Sequence, residues 1–148
     1  MCGIVGFNTN NIAEPKKVLK KMADRIVHRG PDGEGFFSDE TISLGHRRLA
    51  ILDLETGGQP LYSKDNNYVL VANGEIYNYQ ELREELIKDS YKFQTKSDSE
   101  VLIYGYDKWG EELPKKLRGM FAFAIYDKKN KSLFAARDHF GIKPFYYY

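Results

Sequence analysis

Residue 2 is a cysteine, and it is the only one in the chain. A small residue after the initiator lets an aminopeptidase remove Met1, which leaves one residue carrying both a thiol and a free α-amine. The thiolate is the reactive form of cysteine, and an amine with an ordinary pKa of about 7.7–8.0 can accept a thiol proton near neutral pH. Cys2 is therefore a candidate nucleophile with its own base, suited to attack on an amide carbonyl. The plain alternative is a small buried hydrophobe in an N-terminal strand. Position alone does not decide between them, because a cysteine falls there by chance in roughly one to two per cent of chains. While Met1 is in place the Cys2 nitrogen is an amide rather than a base, so a Met1-bearing chain is expected to be inactive.

Attack on an amide creates an oxyanion that needs preorganised donors. Asn73 and Gly74 can supply a side-chain NH₂ and a backbone N–H, and glycine lets a substrate approach the main chain closely. The same Asn-Gly pair also reads as an ordinary β-turn. An amino-acid substrate needs a cation for its carboxylate and anions for its ammonium group. Arg48, in Gly45-His46-Arg47-Arg48-Leu49, offers a planar bidentate clamp, and Glu75 and Asp98 are candidate ammonium partners. Arg48 could equally be a surface arginine, and Glu75 and Asp98 ordinary capping or first-turn acids.

Other chemistries find no pattern. Three scattered histidines and one cysteine give no zinc spacing, so no metal site is expected. Neither GxxxxGK[ST] nor GxGxxG occurs, which leaves no phosphate-binding loop. The formal net charge is +1 with both signs interspersed, so there is no basic stripe for nucleic acid and no basic amphipathic helix for a membrane surface. A single cysteine, no signal-peptide pattern and no long apolar run point to the cytoplasm.

The 148 residues are enough for one core and too few for two ordinary domains. Gly3 to Asn8 reads as a short buried strand. Pro15 to about Val27 reads as a helix with Leu19, Met22, Ala23 and Ile26 on one face. His28 to Gly33 is a breaker-rich loop, followed by strand character at Gly35 to Ser38 and Thr41 to Leu52. Tyr68 to Ala72 is a strand that runs into Asn73-Gly74-Glu75. Asn78 with Glu81, and Ser97 with Glu100, look like capping boxes opening two helices, which puts Asp98 in a first helical turn. Gly119 to Tyr126 and Ser132 to Arg137 read as a hairpin with Phe121 to Ile125 buried on both faces. The C-terminal Pro144-Phe145-Tyr146-Tyr147-Tyr148 is strand-like with no turn after it, as in a chain cut mid-fold with an exposed strand edge. Strands at both ends with helices between them suggest layered sheets with helices outside.

Taken together, Met1 to Phe7, His28-Arg29-Gly30-Pro31-Asp32, Gly45 to Asp53, Gly58-Gln59-Pro60-Leu61, Asn73 to Asn78, Ser97-Asp98-Ser99-Glu100, Gly119 to Phe123 and Arg137 to Pro144 resemble the glutaminase domain of the asparagine synthetases. These are class II glutamine amidotransferases of the N-terminal nucleophile hydrolase fold. The resemblance implies an α+β, four-layer αββα sandwich, incomplete at its C-terminal end, and hydrolysis of glutamine through a Cys2 thioester. It also implies that Asn73 and Gly74 form the oxyanion hole, that Arg48 holds the glutamine carboxylate and that Glu75 and Asp98 hold the amino group. The backbone at Leu49 and Ile51 would line the pocket, and Arg29 with the Gly30-Pro31-Asp32-Gly33 loop would form a mobile flap or a structural support. Residues 1–148 would be a truncated glutaminase domain, with the ATP-dependent synthetase domain absent. No cofactor is expected in this chain, since ATP and Mg belong to the synthetase domain. The implied partners are L-glutamine and that domain, with a homodimer as a further option. The His-Arg-Gly-Pro-Asp and Gly-Glu-Ile-Tyr-Asn stretches favour asparagine synthetase over the glucosamine-phosphate and phosphoribosylamine-forming relatives, and Cys2 argues against the β-lactam synthetase branch. The alternatives are the glutaminase half of another class II amidotransferase, or a non-catalytic glutamine- or partner-binding fragment that keeps Met1. The Arg137-Asp138-His139-Phe140-Gly141 segment is expected to face the synthetase domain and the ammonia route.

Overall fold

The computed structural model describes residues 1–50 and 58–148. Two antiparallel sheets lie face to face between helices. The first contains β1 (Gly3–Asn8), β2 (Gly33–Ser38) and β3 (Ile42–Arg48) in the order β1-β3-β2. The second contains β4 (Leu61–Tyr62), β5 (Tyr68–Ile76), β6 (Gly119–Asp127) and β7 (Ser132–Arg137) in that order. Helix α1 (Pro15–Arg25) covers the outer face of the first sheet, while α2 (Tyr79–Lys88), α3 (Glu100–Trp109) and the short α4 (Leu113–Lys116) cover that of the second. The layers are therefore α, β, β, α, the four-layer α+β sandwich that the resemblance implies.

Strand periodicity builds both cores. Successive side chains of a strand point to opposite faces, so a strand buried on both sides reads as continuously apolar. In β5, Val69 and Val71 join Leu44, Ile42, Ala124 and Tyr126 between the sheets. Leu70, Ala72 and Ile76 pack instead with Phe121, Phe123 and Ile125 against Leu82, Leu86, Val101 and Leu102 of the helices. The same alternation separates two neighbouring arginines of β3. Arg47 turns outward and is buried under α1, where Nε donates to Ala23 O (3.1 Å) and the guanidinium pairs with Asp24 and with Glu34 (2.6 Å). Arg48 turns the other way.

Several local expectations change. The first helix ends at Arg25, and Val27–Arg29 form a separate 3₁₀ turn. Asn78 precedes α2 without capping it; its side chain instead donates to Lys116 O (3.0 Å) and accepts from Arg118 N–H (2.9 Å). Ser97 and Glu100 make no reciprocal box. The buried Glu100 carboxylate takes the Gln94 and Thr95 N–H groups (2.7 and 2.8 Å) and the Thr95 hydroxyl (2.6 Å). Asp98 thus lies in the turn before α3 rather than inside its first turn. The C-terminal tyrosines form no strand, and Tyr146, Tyr147 and Tyr148 are exposed. The end of the third predicted strand, Ile51 and Leu52, falls outside the described residues.

Candidate active site

Cys2 immediately precedes β1, whose register sets Gly3 opposite Arg47. The cysteine therefore meets the end of β3. There the Leu49 N–H donates to Sγ (3.4 Å), and the thiol lies 3.7 Å from Leu49 O. Arg29, on the 3₁₀ turn, donates from Nε to Cys2 O (3.2 Å). The following loop is laced to the same strand end: Asp32 N–H donates to Arg48 O (2.9 Å), and the Asp32 carboxylate accepts from Ala50 N–H (2.9 Å). These bonds tie the segment to the strand end that carries Arg48 and Leu49.

A cavity of about 170 Å³ opens beside the sulfur. Cys2, Arg48, Leu49, Asn73, Gly74, Glu75 and Asp98 all line it, so seven of the eight residues named from the sequence meet at one place. The eighth, Ile51, lies outside the described residues.

The Asn-Gly pair is not a turn, because β5 runs unbroken through it to Ile76. Gly74 is paired with Phe121, whose own N–H and C=O are both taken by Asp138 on the far side of β6. Gly74 must then aim its N–H away from β6, toward the edge of β5 that β4 leaves uncovered beyond Leu70. Alternate N–H groups share that edge. Ala72 N–H is held by Gln59 Oε1 (2.6 Å) and Ile76 N–H by Asp98 Oδ2 (2.8 Å), while Gly74 N–H, between them, meets no acceptor among the described residues. A donor directed into the cavity beside the thiol, with the Asn73 side chain next to it, has the character of an oxyanion site. Only glycine fits there: φ is +151°, and a Cβ would lie 2.0 Å from Met120 O.

The charges are paired by sign. Arg48 comes from β3, Glu75 from β5 and Asp98 from the turn before α3. Burial, the largest influence on Asp98, raises its pKa above the ordinary value; the Ile76 and Ser99 N–H groups oppose the rise, and the Glu75 charge adds to it. Two neighbouring carboxylates, one held against its preference for water, form a site that a cation stabilises.

Two residues not singled out from the sequence also line the cavity. His46, 1% exposed, donates from Nε2 to Ala72 O (3.2 Å) and so ties β3 to β5; its Nδ1 has no partner among the described residues. Burial chiefly, with the Arg48 charge adding and the Ala72 bond opposing, pushes its pKa down to about 4. Lys143 arrives from beyond β7, and its ammonium lies 2.8 Å from Met1 Sδ. The His-Arg-Arg run could have pointed to His46 through the strand's alternation, whereas nothing local places Lys143. Among the described residues, no group of three or more His, Cys, Asp or Glu side chains could hold a metal ion, and no helix is long and apolar enough to cross a membrane.

A family profile described as "Glutamine amidotransferase domain" matches residues 1–148, the whole chain. The chain belongs to the glutamine amidotransferase domain family. Among proteins similar to this amidotransferase domain, asparagine synthetase [glutamine-hydrolyzing] 1 of Bacillus subtilis is 53% identical over 151 residues, covering 99% of this chain and 24% of that protein. Asparagine synthetase B [glutamine-hydrolyzing] of Escherichia coli is 44% identical over 149 residues, again covering 99% of this chain and 25% of the relative. The amidotransferase domain thus spans about a quarter of the length of the curated relatives it matches. Of solved structures, the glutamine phosphoribosylpyrophosphate amidotransferase of B. subtilis superposes with a TM-score of 0.65 at 24% identity, over 86% of this chain and 35% of that one. That likeness is one of fold.

Proposed function

We propose that this domain hydrolyses the side-chain amide of glutamine and supplies ammonia to an asparagine-forming synthetase partner. The observation that carries the reading is the convergence, around one small cavity, of Cys2, a Gly74 N–H that meets no acceptor among the described residues, one arginine and two carboxylates. The identity to glutamine-hydrolysing asparagine synthetases supports the choice of substrate and of ammonia acceptor. The partner is then a C-terminal synthetase domain such as those longer relatives have room for.

In this mechanism Arg48 pairs with the glutamine α-carboxylate and Glu75 and Asp98 with its ammonium group, which directs the side-chain amide at Sγ. The Cys2 α-amine, free once Met1 is gone, takes the thiol proton as Sγ bonds to the amide carbon. The oxyanion is held by Gly74 N–H and the Asn73 NH₂. The amine returns the proton to the departing nitrogen, the C–N bond breaks, and ammonia leaves behind a thioester. Water, deprotonated by the same amine, attacks the thioester; its C–S bond breaks, and glutamate and the thiol are released. Leu49, whose N–H rests on Sγ, keeps the nucleophile in place.

The test is glutamate release from glutamine by the Met1-free chain and its Cys2→Ala variant. Turnover confined to the cysteine form, with equal thermal stability in both, is the expected result. Equal turnover in the two, or none in either despite bound glutamine, overturns the assignment.

A further inference from the structure

Lys143 is 3% exposed, yet among the described residues its ammonium meets only the thioether of Met1, a weak acceptor. The fold nevertheless goes to some length to put it there. After β7, the Asp138 carboxylate accepts the N–H groups of Phe121 (3.3 Å), Phe140 (3.2 Å), Ile142 (2.8 Å) and Lys143 (2.9 Å). Burial opposes ionisation of Asp138, but these bonds outweigh it and hold the carboxyl below its ordinary pKa. Arg137 closes the loop from the other side, donating to Lys143 O (2.6 Å) and to Gly141 O. At Gly141, with φ +65°, a Cβ would lie 2.9 Å from the Arg137 guanidinium. The Arg-Asp…Gly-Ile-Lys segment is thus a bracket that delivers one ammonium to the cavity wall.

We propose that Lys143 is a positioning residue for the Cys2 nucleophile: once Met1 is removed, its ammonium faces the Cys2 α-amine, keeps that amine in its neutral, proton-accepting form and favours the thiolate. The inference rests on the role given above to Cys2. Met1 Sδ lies five bonds from the Cys2 nitrogen, so the ammonium is within about 9 Å of it. A charge at that distance, in an effective dielectric of about 20, moves a titration by about one unit. The direction matters because the other groups facing this amine are mixed. Arg29 from the 3₁₀ turn and Arg48 from β3 act with Lys143, His46 is neutral above pH 5, and Glu75 from β5 and Asp98 from the turn before α3 favour a protonated amine. Arg29 and Arg48 offset the two carboxylates, and Lys143 supplies the surplus positive charge that favours the neutral amine.

The experiment is the pH dependence, from 5.5 to 9, of inactivation by the glutamine mimic 6-diazo-5-oxo-norleucine. It compares the Met1-free chain with Lys143→Met and Lys143→Arg, with the adduct mapped by mass. The expected midpoint for the unsubstituted chain lies below the ordinary amine range of about 7.7–8.0. Lys143→Met raises it by about one unit and slows inactivation at pH 7 up to about tenfold with KI unchanged; Lys143→Arg restores it. Superimposable profiles for the unsubstituted chain and Lys143→Met, or a change confined to KI, overturn the proposal, the latter making Lys143 a substrate contact. If Lys143→Met does not fold, the unsubstituted profile decides alone, and a midpoint at or above 8 overturns it. A chain unlabelled at every pH removes the role of Cys2 itself, a different outcome from labelling with an unshifted profile.

Discussion

His46 makes acid stability a sharp test of the site's architecture. The buried imidazole donates from Nε2 to Ala72 O across the two sheets, has no Nδ1 partner among the described residues, and is held near pKa 4 rather than the 6.5 of an exposed histidine. The native state therefore resists the proton that the unfolded chain accepts. A group with a depressed folded-state pKa contributes stability that is fully present above 6.5 and is lost as pH falls toward 4. Integrating between those values gives a loss of about 2 kcal/mol by pH 5 and about 3 kcal/mol by pH 4. Carboxylates such as Asp127 and Asp138, held below their ordinary range, lose stability over an overlapping interval, so the unsubstituted chain alone is ambiguous. The comparison must be with His46→Gln, which keeps an NH₂ to donate to Ala72 O but does not titrate. Urea unfolding of both at pH 7, 6, 5 and 4 isolates the histidine as the difference of differences, expected to reach about 3 kcal/mol at pH 4. Parallel pH dependences would refute the buried, neutral imidazole.

The substrate clamp gives two further outcomes. Arg48→Lys keeps the charge but not the planar fork, so the glutamine KM should rise about tenfold or more with kcat little changed; an unchanged KM removes Arg48 from the carboxylate site. Asp98→Asn should abolish measurable glutamine binding by calorimetry. It should leave stability at pH 7 equal or higher, since a carboxylate whose pKa is raised costs stability as pH climbs through that value; a large loss of stability would make Asp98 structural. Gly74→Ala drives a Cβ into Met120 O and should cost at least about 2 kcal/mol in urea unfolding, together with turnover; a stable, active variant would remove Gly74 from the oxyanion site.

Much of this was legible in residues whose signal is local. Gly3–Asn8 and Ser132–Arg137 end where their apolar runs end, and β6 extends the expected strand by one residue. Errors came where a local signal had a distant competitor. Asn73-Gly74 has the look of a turn, but pairing with Ala122 and Phe121 keeps it in a strand. Asn78 has the look of a cap, but its side chain is claimed by Lys116 and Arg118, some 40 residues on. Taken one by one, Asn73-Gly74 reads as a turn and Asp98 as an ordinary first-turn acid; it was the family resemblance that named together the residues that line the cavity. What no spacing could reveal was the carriage of Lys143 to Met1, at opposite ends of the chain, or the Gly74 N–H left without an acceptor among the described residues, which depends on strand register and on where β4 stops.

The central claim is that the N-terminal Cys2, with its amine free, is the nucleophile. Intact-mass spectrometry after incubation with 6-diazo-5-oxo-norleucine, run side by side on Met1-free and Met1-bearing chains, tests it most directly. One adduct mapped to Cys2 in the Met1-free chain, and none in the Met1-bearing chain, is the predicted result. Equal labelling of both chains, or an adduct at any other residue, would contradict it.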